Sequence, residues 1–336
     1  MKNLLYIGNK LSKHGFSVTT IETLGPLLER EGFELTYASS KSNKIVRLVN
    51  MLLSTIRLRK KVDFLLIDVY STSNFWYAFL VSQLARMLKL KYIPLLHGGN
   101  LPARLMKNPK ASRFIFENSY KNIAPSKYIL QVFTEAGFKN THYIPNSIEI
   151  ENYSFKKRTV AVPKLLWVRA FAKIYNPNMA IEVFKSIKNQ FPEATLTMVG
   201  SDKDGSLATA KKLAHDYNLD VFFPGQMQKK EWIEMSSDYS VFLNTSRFDN
   251  MPVSIIEAMA LGMPVISTNV GGISYLLENK KDALLVENEA VAQMVEAIKE
   301  LCDNPSLVEK LSVNARQKAQ GFDWHFIKNK WKETLI

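Results

Sequence analysis

The chain has 336 residues, 46% of them apolar, with one cysteine, Cys302. That length suits two domains, the apolar share excludes disorder, and a lone cysteine excludes an internal disulfide. The net charge of +13 is lopsided: residues 1–150 hold 21 Lys and Arg against 9 Asp and Glu, and residues 151–336 hold 23 against 22, so the first half is expected to face something anionic.

Residues 1–10, MKNLLYIGNK, hold too short an apolar run for a signal peptide and read as a first buried strand. No apolar run reaches the roughly 18 residues that span a bilayer. With the single cysteine, this points to a cytoplasmic protein. Strands are predicted at 4–8, 34–38, 64–69 and 92–96, with helices near 18–31, 44–60 and 74–89 between them. A short helix at 125–136 and a strand at 141–145 close the half. Short buried strands alternating with helices mean a parallel sheet covered on both faces.

The stretch IPNSIEIENYSFKKRTVAVPK, about 144–164, has no clean period and reads as a linker. A second alternation follows. Strands are expected at 165–168, 194–199, 220–223, 239–244, 263–267 and 283–286. Helices are expected near 178–190, 206–217, 229–236, 254–261, 272–278, 289–302, 306–319 and 324–335. The fold class is therefore α/β, two Rossmann-like doubly wound domains facing a central cleft. In such sheets ligands sit outside the carboxyl ends of the strands.

The segment 246–272, SRFDNMPVSIIEAMALGMPVISTNVGG, places Asp249 in a loop and Glu257 eight positions on, just inside a helix. A loop ending on a helix N-terminus collects unpaired N–H groups and suits an anion. Pro252 has no N–H to give, which leaves the amides of Asn250, Met251, Val253 and Ser254. Carboxylates beside an anion site suit an anion that carries hydroxyls, such as a sugar nucleotide. The competing readings are a turn residue for Asp249 and a Ser254–Glu257 capping box.

Arg169 and Lys173 follow a strand directly, as a diphosphate site requires; a solvated loop charge is the alternative. His97, ending a strand before Gly98, either approaches a ligand or sits in an ordinary turn. Asp202 and Asp204 have an Asp-x-Asp spacing that reads as a surface loop and not a metal site. Residues 41–61, KSNKIVRLVNMLLSTIRLRKK, hold seven Lys and Arg and no acid. They read as a crossover helix with its apolar face on the sheet and its cations in water, able to lie on an anionic membrane. The stretch lacks aromatics, which disfavours nucleic acid as a partner.

The 246–272 segment resembles the E-x7-E and A-M-A-x-G-x-P-V signature of retaining glycosyltransferases of family 4, the group 1 transferases with a GT-B fold. IAPSKYIL (123–130), YIPNSIEI (143–150), MVGSD, VFFPGQMQKKEW and FDWHFIKNKW extend the resemblance. It implies an N-terminal acceptor-side domain at 1–152, a sugar-nucleotide domain at 153–321, and a C-terminal helix, 322–336, packed back on the first. It implies transfer of a sugar from a nucleotide-diphosphate donor to a carbohydrate or lipid-linked acceptor, with retention and without a metal or other cofactor. Glu257 would hold the ribose and Asp249 the transferred sugar. Arg169 and Lys173 would neutralise the diphosphate, and His97 would lie beside the sugar. Gly225, Gln226 and Met227 would flank the base, with Gly200 of MVGSD among the donor contacts. His14, Gly15 and Gly98 would face the acceptor. Three departures stand out: Asp249 replaces the usual Glu, Arg169 and Lys173 are four apart where five is common, and Gly15 stands where the family has Gly-Gly. A sugar-nucleotide epimerase or hydrolase of the same fold, or a non-catalytic sugar-nucleotide or membrane-surface binding protein, is the alternative.

Overall fold

The structure, a computed structural model, describes residues 2–14, 18–38 and 40–336; of His14 it describes the backbone alone. The first strands and helices are β1 (Asn3–Ile7), α1 (Thr20–Arg30), β2 (Glu34–Ala38), α2 (Lys44–Leu58), β3 (Phe64–Val69), α3 (Phe75–Met87) and β4 (Tyr92–Leu96). Then come α4 (Leu101–Lys107), α5 (Pro109–Phe116), β5 (Asn122–Ala124), α6 (Lys127–Glu135) and β6 (Thr141–Tyr143). The second series is β7 (Lys164–Val168), α7 (Pro177–Gln190), β8 (Thr195–Val199), α8 (Ser206–Asp216), β9 (Val221–Gly225), α9 (Lys229–Met235) and β10 (Val241–Asn244). It continues with α10 (Val253–Ala260), β11 (Val265–Thr268), α11 (Ile273–Leu276), β12 (Leu284–Val286), α12 (Val291–Asp303), α13 (Pro305–Gln320) and α14 (Trp324–Leu335). The helices α4 and α5 lie in a stretch that the sequence pattern leaves unassigned. Each is short and opens beside a proline, at Pro102 and Pro109, so neither shows a long amphipathic period.

Two compact units result: Met1–Asn146 with Trp324–Ile336, and Ser147–Asp323. The first holds a parallel sheet of order β2-β1-β3-β4-β5-β6, the second one of order β12-β11-β10-β7-β8-β9. Strands buried on both faces carry continuous apolar runs, and β3 and β4 are buried throughout. In the first unit, alternate strand residues feed two cores. Leu5, Ile7, Leu65 and Ile67 pack with α2 to α6, while Leu4, Tyr6, Phe64 and Leu66 pack with α1 and α14. Glu31 anchors α14: it accepts from Trp324 Nε1 at 3.2 Å and lies 2.6 Å from Lys332 Nζ and 3.6 Å from Lys328 Nζ.

The chain crosses from the first unit to the second at Asn146–Ser147, inside the 144–164 stretch, but the rest of that stretch packs into the second unit and is no loose linker. Ile148 and Tyr153 are buried in the core of the second unit, and Arg158 donates to the carbonyls of Ser236, Ser237 and Tyr239. Its backbone is irregular, so its burial leaves no periodic trace. The orientation of α2 also departs from expectation. Arg47, Met51 and Thr55 point inward, whereas Ile45, Val46, Val49, Leu53 and Ile56 are exposed. Arg47 is held inside by the Lys41 carbonyl at 3.0 Å and by the Tyr77 ring, 5.6 Å from its guanidinium carbon. Thr55 turns its hydroxyl back onto the Met51 carbonyl. Among the described residues, no helix is long and apolar enough to cross a membrane.

Candidate functional site

In the second unit, Arg169 follows β7 directly, and Asp249, Asn250 and Met251 form the loop between β10 and α10. Adjacent parallel strands thus bring residues 80 positions apart together at their carboxyl ends. Nη2 of Arg169 donates to both carboxylate oxygens of Asp249, at 2.9 and 2.6 Å. Asp249 also accepts from the Asn250 N–H at 2.9 Å and from the Ser246 hydroxyl at 3.4 Å. The guanidinium carbon lies 4.3 Å from the centre of the Tyr175 ring. Desolvation lowers the pKa of Arg169, but the Asp249 charge and Tyr175 outweigh it and hold the guanidinium charged. Burial pushes the Asp249 carboxyl up against the pull of Arg169 and the Asn250 N–H. Nε of Arg169 is buried without a hydrogen-bond partner. An orphaned buried donor on a charged group is a rare feature of folded proteins.

Glu257 lies inside α10, at its fifth residue. The helix is capped by Pro252 and has no side-chain cap, so the Ser254–Glu257 capping box is not formed. Instead Glu257 Oε1 accepts from the Tyr153 hydroxyl at 2.8 Å and lies 2.8 Å from Lys229 Nζ. The Tyr153 phenol is pushed well above its usual range, first by burial and then by the Glu257 charge. Val253 and Ser254 form the first turn of α10, where helix geometry leaves N–H groups without intrahelical acceptors.

Glycines permit the close approaches around these groups. A Cβ on Gly272 would stand 1.9 Å from the Asn250 carbonyl oxygen, so the Val270–Gly272 turn presses on the Asp249–Asn250 loop as only glycine allows. A Cβ on Gly200 would meet the Arg169 carbonyl oxygen at 1.8 Å. The Gly200 N–H donates to the Gly225 carbonyl at 2.8 Å, which ties the end of β8 to that of β9. Past Gly225, Gln226 is exposed and Met227 is half-buried.

Lys173 has an exposed side chain. Its backbone is pinned: the N–H donates to Asp204 Oδ2 at 2.9 Å and the carbonyl accepts from Arg247 at 2.7 Å. The Lys173 N–H, followed by the Ser206 hydroxyl, holds the Asp204 carboxyl below its usual range. Asp202 accepts from the N–H groups of Gly205 and Leu207. Both carboxylates of the Asp-x-Asp pair thus serve the loop backbone.

His97 belongs to the first unit, at the end of β4. Its Nε2 lies 3.2 Å from Oδ1 of Asp68, a fully buried carboxylate on β3. Tyr6 donates to Asp68 at 3.0 Å and Tyr70 at 3.5 Å. Burial, then Asp68, pushes both phenols well above their usual range. Gly98 is buried, its N–H bonded to the Val69 carbonyl at 3.0 Å. The side chain of His14 and all of Gly15 lie outside the described residues. Sequence reading missed Asp68, Tyr153, Tyr175 and Lys229. The first sits in an apolar strand and the second in the supposed linker, while Lys229 is one of two adjacent lysines with no period to mark it.

The family described as glycosyl transferases group 1 matches residues 149–318, half of the chain. An uncharacterized glycosyltransferase of Haemophilus influenzae is 28% identical over 160 residues, 46% of this chain and 44% of that protein. The UDP-Gal:alpha-D-GlcNAc-diphosphoundecaprenol alpha-1,3-galactosyltransferase of Escherichia coli is 26% identical over 200 residues, 54% of this chain and 50% of that protein. The chain thus spans about half the length of these relatives. Among solved structures, Anabaena HepE in complex with UDP and glucose matches with a TM-score of 0.79 at 17% identity. That match covers 100% of this chain and 99% of HepE, a likeness of fold.

Proposed function

The chain belongs to the glycosyl transferases group 1, and from that premise we propose that it moves a sugar from a nucleoside diphosphate to an acceptor hydroxyl. UDP is the first candidate nucleotide, since the E. coli relative is named for UDP-Gal and HepE binds UDP. The bond from the anomeric carbon to the diphosphate breaks. A bond from that carbon to the acceptor oxygen forms, and the acceptor proton leaves on the released phosphate. Configuration is retained, and no metal or other cofactor is needed. The acceptor is a carbohydrate or lipid-linked sugar of surface polysaccharide or glycolipid assembly. It is reached at an anionic membrane surface on the cytoplasmic side.

The observation that carries this reading is the unpaired Nε of a buried, charged Arg169. It is a donor in search of an anion at a strand's carboxyl end, beside the first turn of α10. Arg169, with Lys173 at the exposed edge, stabilises charge on the leaving diphosphate. Asp249, held in place by Arg169, accepts from sugar hydroxyls. Glu257 takes the ribose hydroxyls, with Tyr153 setting its orientation. Gly200, Gly225, Gln226 and Met227 border the nucleotide, and Asn250, Met251, Val253 and Ser254 offer amides. His97, with Gly98, His14 and Gly15, serves the acceptor side.

Calorimetry with UDP, GDP and ADP and their sugars, without added metal, tests the reading. Binding of one diphosphate that weakens in Glu257→Gln supports it. Absence of binding by every nucleotide overturns it.

A further inference from the structure

The helix α2 packs Met51, Leu52 and Leu58 on the core of the first unit but leaves much of its apolar surface outward. Its inward positions include an arginine and a threonine, while Ile45, Val49, Leu53 and Ile56 form an outward stripe along one side of the helix, about 16 Å long. Ile45 is 75% exposed, and the other three between 39% and 48%. The neighbouring helix α3, joined to α2 by the Tyr77 hydroxyl on the Lys44 carbonyl, has exposed apolar residues of its own, Trp76 and Leu80. Singly exposed apolar residues need no explanation, but four along one side of a single helix do. The cations flank this apolar ground: Lys41 and Lys44 at its start, Arg57, Lys60 and Lys61 at its end, all exposed. Among the described residues none of these five makes an ion pair, and 41–61 contains no acid.

We propose that α2 forms a membrane-inserting face, on which the apolar stripe enters the acyl boundary of an anionic bilayer while the flanking cations meet the headgroups. This deepens the membrane part of the reading above: the contact is apolar as well as electrostatic. The chemistry selects this occupant. Apolar side chains ringed by unpaired cations match the cross-section of an anionic lipid surface, apolar below and negative above. A second copy of the chain would bring the same cations against themselves, in a half that already carries 21 basic against 9 acidic residues.

The test is co-sedimentation of the full chain with vesicles of phosphatidylcholine alone and of phosphatidylcholine with phosphatidylglycerol, at 0.1 and 0.5 M salt. Binding to the anionic vesicles is expected, with a residue of binding that survives high salt. Leu53→Glu with Ile56→Glu should weaken it at least tenfold and remove the salt-resistant part, whereas Lys60→Glu with Lys61→Glu should weaken it at low salt only. Both substituted sites are exposed, and circular dichroism checks that each variant folds. No binding to either vesicle overturns the proposal. So does binding that the apolar variant leaves unchanged, or a concentration-dependent dimer that the apolar variant abolishes. UDP titration of the same preparations, without vesicles, reads the donor site separately, so failure of one proposal is distinguishable from failure of the other.

Discussion

Arg169 and Asp249 meet through a single nitrogen, Nη2, which serves both carboxylate oxygens and leaves Nε buried and unpaired. The pair is therefore half-satisfied on the cationic side. An anion placed at Nε gains a charge-assisted hydrogen bond without breaking the existing one. Asp249 in turn is held by the Asn250 N–H and the Ser246 hydroxyl as well as by Arg169.

Arg169→Ala should lower turnover far more than nucleotide affinity, by about 100-fold or more in kcat, since the charge it meets grows in the transition state. Steady-state kinetics alongside UDP calorimetry separate the two. Equal losses in both would remove its leaving-group role. The variant also strands Asp249 without its cation, so Tm is expected to fall too.

For Glu257→Gln, donor binding should weaken while Tm changes little. The amide still accepts from Tyr153 and loses only its attraction to Lys229, which is half-exposed. Tyr153→Phe, by contrast, leaves the buried carboxylate short of a donor and should destabilise by about 1–3 kcal/mol. Thermal unfolding of both variants decides between an anchoring and a binding role for Glu257.

Gly272→Ala forces a methyl group into the Asn250 carbonyl. Backbone cannot swing aside as a long side chain can, so the Asp249–Met251 loop must shift. A cost of about 1–3 kcal/mol is expected, together with loss of nucleotide binding. Alanine at Gly32, which has nothing nearby at the Cβ position but has a positive φ, is the control for backbone strain alone.

Acid should loosen α14 from the first unit. Lys332, then Lys328 and Trp324, hold the Glu31 carboxyl below its usual range against a burial that raises it. A depressed carboxyl contributes stability above its unfolded pKa and loses it as pH falls through the folded value. Between about pH 5 and 3, hydrogen exchange at α14 should therefore speed up, and Glu31→Gln should flatten that dependence. An unchanged pH profile in the variant would assign the docking to Trp324, Ile327 and Trp331 alone.

Fold class was legible from the chain because two signals agree: short runs apolar on both strand faces, and helices of matching spacing between them. The 246–272 segment was legible for a related reason, since a turn, a helix start, a helix stop and a strand follow within 27 residues. Local rules also misled. The Ser254–Glu257 spacing suits a capping box, yet the helix begins two residues too early for it, and Glu257 turns instead to Tyr153 and Lys229. The apolar residues of 44–60 promised an ordinary crossover helix, because a helical period marks a face without saying which way it points.

By itself, then, the sequence determined the alternation of strands and helices outside residues 101–124, the parallel sheets they form, and the loop that carries Asp249 ahead of α10. These follow from backbone periodicity and turn chemistry, which act over a few residues. Only the tertiary structure decided that Arg169 reaches Asp249 with one nitrogen left over, that Tyr153 and Lys229 share Glu257, that Asp68 stands behind His97, and that α2 leaves Ile45, Val49, Leu53 and Ile56 outward. Each depends on strands and helices distant in the chain packing side by side, and on which polar groups are then left to satisfy one another away from water.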